Sequence, residues 1–194
     1  MKTYRFAYGS GTVEFPLEEK NIIGELHGNV VEPISDIRKE LWASLDAPID
    51  SAPLCRRVTP GSTVALVASD MSRFWMRQDL VVPHLVDYLT QRCGVRERDI
   101  TIVIANGTHT GGDEAELRTL VTDAVYDRIT VENHDCESED LVYLGTTPHG
   151  TPVSINRTAA LADMVICLGA ATHHVMAGFG GGRKSILPGI SGRE

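Results

Sequence analysis

Two rhythms of apolar residues alternate along most of this chain: short unbroken runs and stripes at helical spacing. The N-terminal end shows a third pattern. Tyr4-Arg5-Phe6-Ala7-Tyr8 and Thr12-Val13-Glu14-Phe15 alternate around Gly9-Ser10-Gly11, which predicts a β-hairpin with a three-residue connection, and residues 21–27 are a candidate third short strand. Over residues 33–45, Ile34, Ile37, Leu41, Trp42 and Leu45 recur every three or four positions, as on one face of a helix, with Pro33 suited to the first turn. Residues 46–60 hold Pro48, Pro53 and Pro60 and read as a connector. From residue 61 the two rhythms alternate. Apolar runs at 63–68, 100–105, 129–132 and 164–168 predict buried strands, with a minor one at 153–155. Helices are predicted over 79–93, closed by Gly94, and over 113–126, with a short helical turn at 158–162. Strands and helices in alternation imply an α/β fold: a Rossmann-like, mostly parallel sheet with helices on both faces. Residues 1–60 are then expected as a small hairpin appendage with a linker helix, and residues 61–194 as the α/β core.

In such a sheet, ligands sit beyond the carboxyl ends of the strands, and the unusual residues follow three of them. The first end gives Ser69-Asp70-Met71-Ser72-Arg73, and the second Asn106-Gly107-Thr108-His109-Thr110-Gly111-Gly112. The third gives the stretch from Ala170 to Gly189, with His173, His174, Arg183, Lys184 and a run of glycines. Glycines packed this densely suit neither helix nor strand, whereas they let a backbone approach a ligand closely. Each polar residue also has an ordinary reading. Asp70 could cap a helix, Arg73 could form a surface ion pair, and His109 and Lys184 could be solvated. One of His173 and His174 could simply bond a carbonyl. A shared location at one sheet edge favours a site. Residues 178–185 approximate the phosphate loop G-x-x-x-x-G-K-[ST], but Arg183 stands where glycine is required and Ile186-Leu187-Pro188-Gly189 is a poor helix start. Imidazoles on separate loops suit proton transfer on both sides of one carbon, as racemisation requires, with His109 and His174 as the pair. Arg73 offers a planar fork for a carboxylate or phosphate, and Lys184 an amine able to carry a covalent group.

Composition narrows the classes. The net charge of −8 argues against a nucleic-acid partner. No apolar run approaches the roughly 20 residues of a membrane helix, and residues 1–6 lack the apolar segment of a secretory signal. Cys55, Cys93, Cys136 and Cys167 are widely spaced, matching neither a zinc motif nor a disulfide framework, so a reduced, cytoplasmic protein is expected.

The combination Asp70-x-x-Arg73, Gly107-Thr108-His109 and His174-x-x-Ala177-Gly178-Phe179-x-Gly181-Gly182-x-Lys184-x-Ile186-Leu187-Pro188-Gly189 resembles the N-terminal domain of the nickel-pincer lactate racemase family over roughly residues 10–192. The resemblance implies a pyridinium mononucleotide with two sulfur arms, joined through a thioamide to Lys184. It would bind nickel through carbon and both sulfurs, with a histidine completing the metal. It further implies His109 and His174 as acid/base residues and Asp70, Met71, Ser72 and Arg73 as cofactor-binding residues. The implied partners are a 2-hydroxy acid substrate, a C-terminal domain of the same protein and the cofactor-biosynthesis enzymes. Two departures modify this. Met71, Ser72, Phe74 and Trp75 replace the family's usual threonine and prolines around Asp-x-x-Arg, so a 2-hydroxy acid larger than lactate is expected. The family's nickel-ligating histidine falls beyond Lys184 and after residue 194, so no metal ligand is expected within this sequence, and residues 1–194 alone are expected not to complete a nickel site. Two other readings stay open: a phosphate- or nucleotide-binding enzyme using the glycine loop without nickel, and a non-catalytic binding domain.

Overall fold

A computed structural model describes residues 1–193. Strands β1 (Lys2–Tyr8) and β2 (Gly11–Leu17) form an antiparallel ladder from Tyr8 opposite Gly11 to Lys2 opposite Leu17. The turn is therefore two residues, Gly9-Ser10, rather than the expected three, because Gly11 itself pairs. The expected third strand is absent: after one 3₁₀ turn (Glu19–Asn21) the chain runs on without regular structure through Gly24 and Gly28. Lys2 and Tyr4 both donate to the Glu25 carboxylate, which holds its pKa down to about 2. Residues 1–34 form one compact unit.

The second unit begins at Ser35, well before the expected boundary at residue 60, because the supposed linker helix belongs to the core. Helix α1 (Ile37–Asp46) starts not at Pro33 but after Asp36, whose carboxylate accepts the Lys39 N–H at 2.9 Å and so satisfies an otherwise orphaned amide. Trp42 packs edge-on against Tyr88, ring centroids 5.6 Å apart, and donates its indole N–H to the His84 carbonyl at 3.0 Å. The Tyr88 hydroxyl donates to Asp46 at 2.6 Å; burial, with this carboxylate beside it, pushes the phenol pKa up to about 12. Helix α2 (Leu54–Arg57) carries Cys55, which is disulfide-bonded to Cys93, whereas Cys136 and Cys167 are free. This corrects the expectation of four unpaired thiols and removes the argument they gave for a reducing compartment. The bonded pair lies 38 residues apart and is brought together only by the fold.

The core is built on β3 (Val64–Ser69). It is followed by α3 (Val82–Asp87), β4 (Ile100–Ala105), α4 (Glu114–Val121), α5 (Asp123–Tyr126) and β5 (Thr130–Asn133). Next come β6 (Val142–Thr146), β7 (Pro152–Ile155), α6 (Arg157–Leu161) and β8 (Met164–Cys167). Four of these strands make a parallel sheet in the order β5-β4-β3-β8. Val64, Leu66 and Ala68, with Ile100, Ile102 and Ile104, point into a core shared with α1, α3, α4 and α5; Ala65, Val67 and Val103 point the other way, against Ile155, Ala159 and Ile190. Both faces are covered, which is why β3 and β4 read as continuous apolar runs. Strands β6 and β7 form a separate antiparallel pair; β6 escaped the sequence reading because its residues are exposed or only half-buried.

Both long predicted helices are interrupted. The first resolves into a 3₁₀ turn (Gln78–Leu80), α3, and a π-helical turn over Tyr88–Arg92, where the Thr90 hydroxyl bonds the carbonyls of Val86 and Asp87 and competes with the regular ladder. The second breaks at Thr122, at φ +77°, between α4 and α5, and Arg118 spans the break by pairing with Glu114, Asp123 and Asp127. No helix among the described residues is long and apolar enough to cross a membrane.

Leu66 is fully buried on the central strand. Leu66→Ala is expected to lower unfolding stability by about 2–5 kcal/mol, measured as a shifted urea midpoint at unchanged slope.

Candidate active site

The chain passes from β3 to β4 and β5 on one side, then returns to place β8 on the other. That reversal makes the carboxyl edge around β3 a topological switch point, where open α/β sheets hold ligands. The loop after β3 is anchored by buried Gln78, whose amide exchanges two hydrogen bonds with the Ser69 backbone at 3.0 and 2.8 Å. Asp70 then precedes a 3₁₀ turn (Met71–Met76) without capping it. Its carboxylate instead accepts the Ser72 hydroxyl at Oδ1 (2.6 Å) and lies 2.5 Å from His109 Nδ1 at Oδ2. Arg73 is not in a surface ion pair among the described residues; its guanidinium donates to Ser72 Oγ at 2.9 Å. Asp70, with 13% of its side chain exposed, thus joins two loops, and 55% of the His109 side chain remains open to solvent.

The loop after β4 is held from below by buried polar groups that sequence reading did not single out. Asn106 donates to Asn133 Oδ1 and to the His134 carbonyl, both at 3.1 Å, while Asn133 exchanges hydrogen bonds with the Gly112 backbone. The His109 N–H bonds back to the Asn106 carbonyl at 3.0 Å, closing the turn that presents the imidazole. His134 donates Nε2–H to the Ser191 carbonyl at 3.0 Å, and burial lowers its pKa. The sequence signal for this layer was present in the Asn133-His134 pair at the end of β5, the fourth strand end, which carries polar residues unsuited to an apolar run.

After β8 the chain makes a small hairpin of β9 (His173–His174) and β10 (Gly178–Phe179), then a single helical turn, α7 (Arg183–Ile186). His174 Nδ1 accepts the N–H groups of Met176 and Ala177 at 3.3 and 3.2 Å. His173 lies against Phe179, centroids 5.2 Å apart, outside the cleft. Two glycines are sterically required. A Cβ on Gly181, at φ +67°, would lie 2.8 Å from the Ala170 carbonyl oxygen, and one on Gly189 would lie 2.2 Å from that of Ser185. Gly107 N–H bonds the Gly189 carbonyl at 2.9 Å, tying the second loop to the third. A single helical turn also separates this segment from a phosphate loop, which runs into a full helix.

The three loops enclose one cleft of about 410 Å³, lined by Asp70, Ser72, Arg73, His109, His174 and Lys184 among others. Of the predicted residues, Met71 is not part of it: its side chain packs on the main core, and the residue borders a second cavity of about 370 Å³ that shares His109 with the cleft. Phe74 also packs on the core, so of the bulky pair only Trp75 lines the cleft. Among the described residues, no group of three His, Cys, Asp or Glu side chains is placed to hold a metal ion.

A model of the lactate racemase N-terminal domain family matches residues 8–194. The chain is 28% identical to the lactate racemase of Thermoanaerobacterium thermosaccharolyticum over 98% of its own length and 45% of the relative's. Identity to the Lactiplantibacillus plantarum lactate racemase is also 28%, over 95% of this chain and 43% of that one, so the chain spans less than half the length of these relatives. Among solved structures, the lactate racemase apoprotein of T. thermosaccharolyticum superimposes with a TM-score of 0.84 at 27% identity, covering 98% of this chain and 44% of that one. A Thermotoga maritima protein shares the fold, with a TM-score of 0.61 at 24% identity over 80% of this chain and 38% of its own.

The buried His134 gives this layer a pH dependence. Its folded pKa lies below the ordinary 6.5, so the unfolded chain takes up the proton first, and stability is full above pH 6.5 and declines as pH falls below it. Asp79 and Asp163, also held low, act only further down. Urea midpoints at about pH 8 and about pH 5.5 are expected to differ, and His134→Gln, which keeps a donor for Ser191, to reduce the difference.

Proposed function

The chain belongs to the lactate racemase N-terminal domain family, and on that premise we propose that it is the cofactor-tethering part of a longer two-domain isomerase that racemises 2-hydroxy acids. The observation that carries this reading is the convergence of three strand-end loops, which gathers an amine, a guanidinium and two imidazoles around one cleft.

The cleft suits the nickel-pincer pyridinium mononucleotide in volume and in donor set. Its volume of about 410 Å³ lies within the range of small-molecule sites. Lys184 Nζ would be the point of covalent attachment, the glycine-lined wall at Gly180 and Gly181 lets a flat group approach the backbone, and the Arg73 fork matches a phosphate. Asp70, Met71, Ser72 and Arg73 form the binding segment, Met71 through its backbone because its side chain turns to the core. When bound, the group supplies the nickel and the hydride acceptor for C2 of the substrate, chemistry that no side chain offers. His109 and His174 handle the hydroxyl proton, one accepting it and the other returning it at the opposite side of the carbon. Trp75 gives the cleft an apolar wall suited to a substituent larger than lactate's methyl group. The remaining partners are a C-terminal domain of the same protein and the enzymes that build the cofactor.

Intact-protein mass after co-expression with the cofactor-making enzymes is the test. An adduct is expected on the wild type and lost in Lys184→Ala; a wild type without one overturns the reading. In the full-length protein, His109→Ala and His174→Ala should retain the adduct while racemisation falls by about 10²–10⁴-fold.

A further inference from the structure

Both imidazoles at the cleft are held through the same ring atom, Nδ1, but by opposite kinds of partner. His109 Nδ1 faces Asp70 Oδ2 at 2.5 Å. A carboxylate has only lone pairs to offer, so this ring nitrogen must be the donor. Asp70 cannot turn away easily. Arg73 donates to Ser72 Oγ at 2.9 Å, which leaves the single hydroxyl proton of Ser72 to bond Asp70 Oδ1 at 2.6 Å and leaves Oδ2 for His109. At His174 the polarity is reversed. Nδ1 receives the backbone N–H groups of Met176 and Ala177 at 3.3 and 3.2 Å, and a backbone N–H can only donate. That nitrogen must carry the lone pair.

A neutral imidazole has one donor and one acceptor nitrogen. We infer that His109 and His174 are preset in opposite tautomers: His109 with its proton on Nδ1 and Nε2 free as a base, His174 with Nδ1 as acceptor and its proton on Nε2. Asp70 is thereby a positioning residue for His109, a role beyond membership of the cofactor-binding segment. The kinetic consequence rests on the racemase reading above. In the resting cleft only His109 can take up a hydroxyl proton: the substrate O–H bond breaks, an N–H bond forms at His109 Nε2, and Asp70 faces the resulting positive charge. The enantiomer whose hydroxyl lies toward His109 therefore reacts at once, whereas its mirror image meets an N–H on His174 and waits for proton redistribution.

The tautomers are readable without cofactor or activity. In the ¹⁵N-labelled wild-type chain at about pH 8.5, above the ordinary imidazole range, long-range ¹H–¹⁵N correlations should show His109 with a protonated Nδ1 and His174 with a protonated Nε2. Asp70→Asn should shift His109 toward the mixture of free histidine while leaving His174 unchanged, and Asp70→Glu should restore part of the Nδ1–H signature. A wild-type spectrum with His109 protonated at Nε2, or with both rings in one tautomer, overturns the inference, and so does a His109 ring indifferent to Asp70→Asn. In the loaded full-length protein, Asp70→Asn should lower kcat by about 10²-fold or more with KM little changed, and single-turnover rates should differ between enantiomers. Ring spectra and the Lys184 adduct are independent, so the tautomer inference and the racemase reading can fail separately.

Discussion

Parallel hydrogen bonding on both edges of β3 is the constraint from which the cleft follows. Parallel strands begin at one edge of a sheet and end at the other, so the segments leaving β3, β4 and β8 emerge side by side, although β3 ends at Ser69 and β8 only at Cys167. Such a sheet is stable only with both faces covered, and here α1, α3, α4 and α5 cover one face while α6 and the segment around Ile190 cover the other. Helices on both faces leave the carboxyl edge as the place where polar loops can gather without disturbing the core.

The loops themselves are shaped by what cannot fit between them. The chain after β8 crosses its own path at Gly169, Ala170 and Gly181, then turns at Gly189 over the Ser185 carbonyl. A Cβ at Gly169 or Gly181 would force the two crossing segments apart, and one at Gly189 would collide with the Ser185 carbonyl of α7. The Gly107–Gly189 hydrogen bond then couples this crossing to the turn that presents His109. Close backbone packing thus ties the segment that carries Lys184 to the His109 turn, and buried Asn106, bonded to half-buried Asn133, fixes that turn over the sheet.

The sheet was legible in the sequence because its strands are buried on both faces and flanked by glycine and polar residues; residues 100–105 coincide with β4. The three site loops were legible for the same reason, since chemistry-bearing residues immediately after an apolar run have few structural motives. Features that depend on tertiary partners were not. The break at Thr122 needs Arg118 and its three carboxylates, the π turn needs Thr90 to reach back, and α1 joins the core through Tyr88, 42 residues beyond Asp46. Asp70 shows the limit most clearly. Its position before a helical turn matches a cap, but its carboxylate is taken instead by the Ser72 hydroxyl and by His109, which approaches from another loop. The Cys55–Cys93 bond belongs to the same class.

His173 and His174 are adjacent on a two-residue strand, so they necessarily face opposite ways: one against Phe179, the other into the cleft. Chemical identity does not distinguish them; parity along the strand does. A single-residue insertion or deletion between β8 and the tip at Val175–Ala177 would exchange their places while leaving the composition of the segment almost intact. Descendants of this chain could therefore drift in nearly every side chain of that hairpin, but the count of residues leading into it is held to an odd-or-even rule.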